Sequence, residues 1–277
     1  MPLRLSRHTA PAAEPVHLTE AKIHLRLAVD AAGAAAYTAE DAPLSAMIAA
    51  AREVAEFESW KALVLQGWDL FLDSWPAGGE IRLPYQPLRR VESIQYTLAD
   101  GTVTTLAATE YEVDADSVPG RVVLGYGKSW PAGELAPKNP IRVRFWAGYA
   151  VPFTVDLAAN ALLAPDHPFI DGDKVRLSVS GGALPAGLAA LTDYFVRDVS
   201  GSTFKLAATA DGAAVDLTTA GTGTLFVGEV PSSTTIGIKL LLTDFYEERG
   251  DTSRSGALNR IPRAASHHFA MDSAREF

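Results

Sequence analysis

Few side chains in this sequence stand where chemistry would need them. His267-His268 offers two imidazoles, half of a metal site. Neighbouring imidazoles on one backbone rarely reach a single ion, and no third ligand stands near, so a polar tail or an interface patch is the plainer reading. Asp171-Gly172-Asp173 and Asp114-Ala115-Asp116 suggest calcium loops, but neither has the spaced acids and closing glutamate of one. Both read as turn acids. Five tryptophans could form a stacking platform for sugars or bases. Trp60, Trp68, Trp75 and Trp146 sit at element ends or in strands, where core packing is the default. G-x-S-x-G, a P-loop, H-E-x-x-H and G-x-G-x-x-G before a helix are all missing. With no cysteine, thiolate nucleophiles, thiolate zinc sites and disulfides are excluded. No acid, base and nucleophile converge, so the sequence predicts no enzyme, no cofactor and no metal.

The bulk properties narrow the partners. The 277 residues carry a formal charge of −9, with an isoelectric point near 5.2. Such a chain is poorly suited to gripping nucleic-acid phosphates, though it can face DNA without holding it. Just under half the residues are hydrophobic, enough for a packed core. No apolar run approaches the roughly 20 residues of a membrane span, and MPLRLSRHTAPAAEP lacks the apolar centre of a signal peptide. A soluble product made in the host cytoplasm, with no membrane partner, is expected.

The elements that would position any site centre on residues 41–76. Asp41 and Pro43 suit a helix start, and Leu44, Met47, Ile48, Ala51, Val54 and Ala55 recur at helical steps, with Arg52, Glu53 and Glu56 opposite. After Trp60 the period becomes that of a strand, LVLQGWDLFLDSWP. The rest of the chain is read as covering this pair. Upstream lie an arm over residues 1–17, a short helix capped by Thr19, and a Gly/Ala-rich loop, DAAGAAAYTAED. From Glu80 to Tyr149 the reading is β. It comprises IRLP, a hairpin of VESIQYTL and TVTTLA across Asp100-Gly101, a second pair around Val118-Pro119-Gly120, and PIRVRFWAGYA. In that last strand Ile141, Val143, Phe145 and Ala147 face one side, and Arg142 and Arg144 the other.

Composition shifts after Ala150. Residues 153–229 hold nine acids against four bases, a net −5, with strand-like runs in KVRLSVSG, DYFVRDVSGSTFKLAAT and GTLFVGE. This stretch reads as an inserted all-β domain. The core domain is then discontinuous, residues 18–152 and 230–250. A helix returns at Ser232-Ser233, apolar over a wide surface, with Gly250 as its stop. Residues 251–277 hold too few large apolar side chains to order themselves and must dock or stay mobile. The fold class is α+β: a bundle of two to four helices packed with an antiparallel β portion, plus the inserted β domain.

Taken in order, these landmarks resemble the head–tail connector (adaptor) proteins of long-tailed bacteriophages and gene transfer agents. The matching pieces are LTEAKIHLRL, AAAREVAEFESW, LVLQGWDLFLDSWP, IRLPYQPLRRVESIQY with DG, YEVD, GRVVLGYGKSWP, IRVRFWAGYA and VP…IGIKLLLTDFYEERGD. Each is a short apolar string; the specificity is in their order and spacing over residues 18–150 and 230–250. The sequence departs from the family by the residues inserted before the last helix. Those resemble, more loosely, small β modules of phage structural proteins.

The resemblance implies a virion neck protein: a ring of twelve copies seated under the portal, with the next neck, head-completion or stopper protein beyond it and DNA passing through as cargo. The inserted domain is a candidate capsid contact. The tail matches the family's portal-docking end, which carries over Ile261, Pro262, Arg263, His267, His268, Phe269 and Arg275. Removing residues 251–277 should then abolish portal binding and leave melting unchanged. The two long helices supply the candidates for self-association: Met47, Ile48 and Ala51 on the first, and Ile236, Lys239, Leu240, Thr243 and Tyr246 on the second. A glycan- or receptor-binding module carried by the inserted β domain is the alternative.

Overall fold

Alternation in the middle of the chain becomes antiparallel sheet, and the two helical stretches pack together. A computed structural model describes residues 4–248 and 263–271. They form two compact units, one of residues up to Ala12 with Trp60–Gly148, the other of Ala13–Ser59 with the residues from Tyr149 on. The class is mixed α+β.

The first unit holds eight strands: β1 (Arg4–Thr9), β2 (Gln66–Leu72), β3 (Glu80–Arg82), β4 (Leu88–Thr97), β5 (Val103–Thr105), β6 (Tyr111–Asp114), β7 (Arg121–Leu124) and β8 (Ile141–Ala147). Five make one sheet in the order β1-β2-β8-β4-β5, and three make another, β3-β7-β6. The registers Leu70↔Val143 and Ile94↔Val143 stack apolar side chains across three strands. Ile81 and Val122 from the smaller sheet, and Leu83 just after β3, join Leu70, Ile94, Val143 and Phe145 in one core. On the other face of β8, Arg144 donates to both oxygens of Asp69 at 2.8 and 3.0 Å. Both expected hairpins form, and Asp100 Oδ1 accepts the Thr102 N–H at 2.8 Å in the first turn. The tryptophans pack as expected: Trp68 stacks on Tyr85 and Trp75 on Trp130.

Within the stretch read as an arm, Arg4–Thr9 is a strand. Arg4–Thr9 pairs with β2 as a full edge strand, supplying partners for backbone groups that would otherwise be open. Periodicity does not reveal it because both of its faces carry polar residues.

The second unit begins with α1 (Leu18–His24), α2 (Ala31–Ala36) and α3 (Asp41–Ser59) and ends with α4 (Ser232–Glu247) and α5 (Arg263–Met271). Gly250 lies outside the described residues. The cap of α1 is His17, not Thr19: the Thr19 N–H donates to its Nδ1 at 3.1 Å. The Gly/Ala-rich segment is helical over α2 rather than a loop, because Asp30 Oδ1 caps it by accepting the Gly33 N–H at 2.7 Å. Between α3 and α4 in the chain, this unit has seven strands: β9 (Val151–Asp156), β10 (Ala161–Leu163), β11 (Lys174–Val175), β12 (Leu177–Ser180), β13 (Tyr194–Ser200), β14 (Thr203–Ala207) and β15 (Thr224–Val227). They form one antiparallel sheet in the order β11-β13-β14-β10-β9-β15-β12. Strands β9, in which Val151, Phe153 and Val155 alternate, and β10, only three residues long, join the halves of that sheet.

The helix and strand read as one organising pair fall in different units. β2 lies between β1 and β8, while α3 packs against α4, α5 and α1. Two cations hold the helices in register. Lys22, buried, donates its ammonium to the Ala34 carbonyl at 2.8 Å and pairs with Asp41 at the start of α3. Arg52 is buried too, and its guanidinium reaches Glu56 Oε2 at 2.7 Å and Glu14 Oε2 at 2.8 Å. The face of α3 opposite its apolar row is therefore not wholly solvated.

Breaking a buried pair strands the partner charges. Arg52→Ala is expected to lower unfolding free energy by about 3–5 kcal/mol in denaturant melts. The double variant Arg52→Met/Glu56→Met should lose much less, because it buries no unpaired carboxylate at position 56.

Candidate assembly surfaces

With no catalytic constellation in the sequence, the candidate sites are surfaces on the helices. In α3 the buried side consists of Leu44, Ile48, Ala51 and Ala55 together with Arg52, Glu56 and Ser59. Ile48 and Ala51, two of the self-association candidates, are sealed within the chain. Met47 is half-buried, and so is Val54. Phe57, which sequence reasoning misses, is 68% exposed. Periodicity divides the helix into an apolar and a polar side, and a lone aromatic between Glu56 and Glu58 fits neither.

In α4, Thr234, Gly237, Ile238, Leu241 and Leu242 face inward. Of the candidates here, Ile236 is 46% exposed. Lys239 pairs with Glu20. Thr243 Oγ1 and His24 Nε2 lie 3.0 Å apart, and the Tyr246 hydroxyl donates to Glu40 Oε2 at 2.7 Å. Leu240 is half-buried. Lys239, Thr243 and Tyr246 therefore tie α4 to α1 and to the start of α3, and Ile236 is the most open member of the set.

Glu20 is the centre of a polar junction. Besides Lys239 it accepts the Ser180 hydroxyl, and Ser180 Oγ accepts the His17 N–H at 2.8 Å. α1, α4 and the end of β12 meet there. Gly181 has a φ of +68°, and a Cβ on it would lie 2.5 Å from His17 Nδ1, so only glycine permits the approach. Burial holds the His17 imidazole below its ordinary pKa, against the nearby Glu20 carboxylate, which suits a ring nitrogen acting as acceptor. A cleft of about 260 Å³ opens beside this junction, lined by Glu20, Ser180, Glu229, Ile236 and Lys239 among others. Glu20 stands between the Ser180 hydroxyl and the Lys239 ammonium, so the junction ties α1, α4 and the end of β12 together.

The tail helix finds its partners within the chain. α5 packs on α4 and α3. Phe269 is 1% exposed and lies over Gly237, where a Cβ would come within 2.6 Å of the Phe269 ring and 3.1 Å of His268 Cβ. Of the portal candidates, Phe269 is thus a core residue of this unit, His268 is half-buried and His267 is exposed. Arg263 starts the helix, and its side chain is outside the described residues, as are Ile261, Pro262 and Arg275. Because Phe269 is core, removing residues 251–277 would open the floor over Gly237. Unchanged melting is no longer the expectation for that deletion.

The paired-acid motifs are turn acids. Asp114 accepts the Ser117 N–H at 3.0 Å and its hydroxyl at 2.6 Å, and Arg121 Nε donates to it at 3.0 Å. Asp171 and Asp173 accept the N–H groups of Val199 and Ile170, each at 2.9 Å.

No family model matches the sequence, and no curated protein matches it. Solved structures do match in fold. A chain of the virion of a native gene transfer agent (GTA) particle matches with a TM-score of 0.55 and 19% identity, covering 99% of this chain and 96% of that one. A chain from the neck of an empty GTA particle computed with C6 symmetry gives 0.54 and 19%, covering 96% and 94%. One from the neck of a native GTA particle computed with C12 symmetry gives 0.55 and 17%, covering 99% and 97%. At these identities the likeness is one of fold. Coverage this full takes in residues 153–229, so the β segment belongs to the shared fold.

Two measurements test the local account. Gly237→Val should drive α5 off α4, so that amides of residues 263–271 exchange at least about tenfold faster while α4 stays protected, as expected when a close contact is overfilled. For Asp114, the Ser117 hydrogen bonds and the Arg121 guanidinium hold the carboxyl down to about 2, below its ordinary 3.8. A depressed carboxyl stabilises the fold fully above the unfolded value, and that contribution fades as pH falls from near 3.8 through about 2. A carbon-detected NMR titration should find that midpoint, and Ser117→Ala should move it upward.

Proposed function

We propose that this chain is a structural subunit of the neck of a phage or gene-transfer-agent particle, belonging to the head–tail connector (adaptor) family. It assembles with itself into a ring between the portal and the next neck protein, and DNA passes through. The observation that carries this reading is the fold likeness to GTA virion and neck chains over nearly the full length of both partners. The order of landmarks along the sequence points to the same class of particle independently. A count of twelve follows the C12 symmetry of one of those necks.

The physical chemistry supports the role. A net charge of −9 keeps phosphate backbones sliding rather than bound. The polar junctions and buried ion pairs described above lock elements in place, which suits a part that bears load and carries out no reaction. Portal docking is assigned to the segment after α4. Within it, exposed His267 is the described candidate, with Ile261, Pro262, Arg263 and Arg275 beside it in sequence.

Electron microscopy of the purified protein mixed with its portal tests the reading. A closed ring of this chain stacked on the portal is expected. Absence of any ring of this chain, both on the portal and in purified particles, would overturn it. His267→Glu should weaken portal binding at least about tenfold with melting unchanged, as for an interface contact on an exposed position.

A further inference from the structure

Helix α3 is inverted in one respect. Its buried side carries the Arg52–Glu56 pair, while its outward side is mostly apolar. Ala46, Ala50, Val54 and Phe57 follow one another at steps of four, four and three residues, which places them on a single stripe, with Met47 at its edge. Ala46 and Ala50 are exposed, Met47 and Val54 half-buried, and Phe57 68% exposed. Glu53 is the one charged side chain on this stripe, 3.6 Å from the Arg52 guanidinium. A single exposed apolar residue needs no explanation, but a row about 17 Å long on one helix does.

We infer that this outward stripe of α3, centred on Phe57, is the seam by which one copy of the chain packs against a different surface of the next copy in the ring. The inference rests on the ring reading above and adds the residues that hold the ring together. A closed ring is built from heterologous contacts, so each copy must present a patch that its own fold leaves open. The centre of such a patch is poor in charge and anchored by an aromatic side chain, as this stripe is. It carries no lysine or arginine, which disfavours nucleic acid or an anionic lipid surface as the occupant. Phe57 leaves on the order of 100 Å² to cover, and the stripe as a whole supplies only part of the roughly 800 Å² per partner that a stable pair needs. The stripe is therefore the centre of the seam and not the whole of it. Ile48 and Ala51, the sequence-based candidates on α3, are buried within the copy and are replaced here by Phe57, Val54 and Ala50.

The cysteine-free chain allows a direct test. A Phe57→Cys variant of the full chain is treated with a maleimide reagent, free and in assembled rings or particles, and a photoreactive benzoylphenylalanine at position 57 is irradiated in the same assemblies. The expected result is at least about tenfold slower labelling in the assembly and a crosslinked product of two copies of this chain. Phe57→Lys should cut ring yield by a similar factor without changing the melt, since the residue is exposed in the free chain. Rings in which the introduced thiol still labels at the free rate, or a crosslink only to another virion protein, would overturn the inference and leave the ring reading standing. Absence of any ring of the unmodified chain would overturn both.

Discussion

The second unit depends on a close approach of helices far apart in sequence, α3 near the start and α4 near the end. Gly237 lies on α4 where α5 crosses it, and the missing Cβ is what lets Phe269 sit there. Arg52 and Lys22 then fix the azimuth of α3 and the position of α1, because a buried cation tolerates only a geometry that brings it its carboxylates and carbonyls. Between α3 and α4 the chain makes an entire sheet unit and a second, seven-stranded sheet. Closure entropy grows only as the logarithm of loop length, about 0.6 kcal/mol per doubling, so this long excursion is compatible with helices that must meet.

The same unit shows how a seven-stranded sheet is joined to helices without a large apolar contact being legible in sequence. Ser180, at the end of β12, takes one hydrogen bond from the His17 backbone and gives one to Glu20, and Lys239 neutralises the carboxylate. Each group is satisfied by a different element, so removing any one leaves a partner unpaired in a partly dry site. The junction resembles a small active site in its composition. What it does here is structural: Glu20 sits between the Ser180 hydroxyl and the Lys239 ammonium and so ties three elements together.

Exposure and burial are distributed unusually on α3. An apolar stripe on a free subunit has a modest solvation cost, kept modest by the alanines at two of its four positions. Arg52 and Glu56, charges that would ordinarily line an outer helical face, are turned inward, where they orient the helix, while Glu53 stays exposed. The buried charges that orient the helix and its exposed apolar stripe thus lie on different sides of one element, and a substitution on one side need not disturb the other.

Much of the fold was legible. The Asp100-Gly101 hairpin, the pairing around Val118-Pro119, the alternation of Ile141, Val143, Phe145 and Ala147, and the spans of α3 and α4 follow from local periodicity and turn chemistry, which act over a few residues. The edge strand β1 and the short strand β10 were not legible: β1 is polar on both faces and takes its order from β2, far along the chain, and β10 is three residues long, although it pairs locally with β9, whose Val151, Phe153 and Val155 alternate. For the candidate surface, sequence alone determined that α3 and α4 are amphipathic. Only the tertiary structure decided which side of α3 is sealed and which is open. A helical period ranks side chains by polarity, but Arg52 and Glu56 can be buried once Glu14 and a packed neighbour neutralise and cover them, and that leaves Phe57 outside.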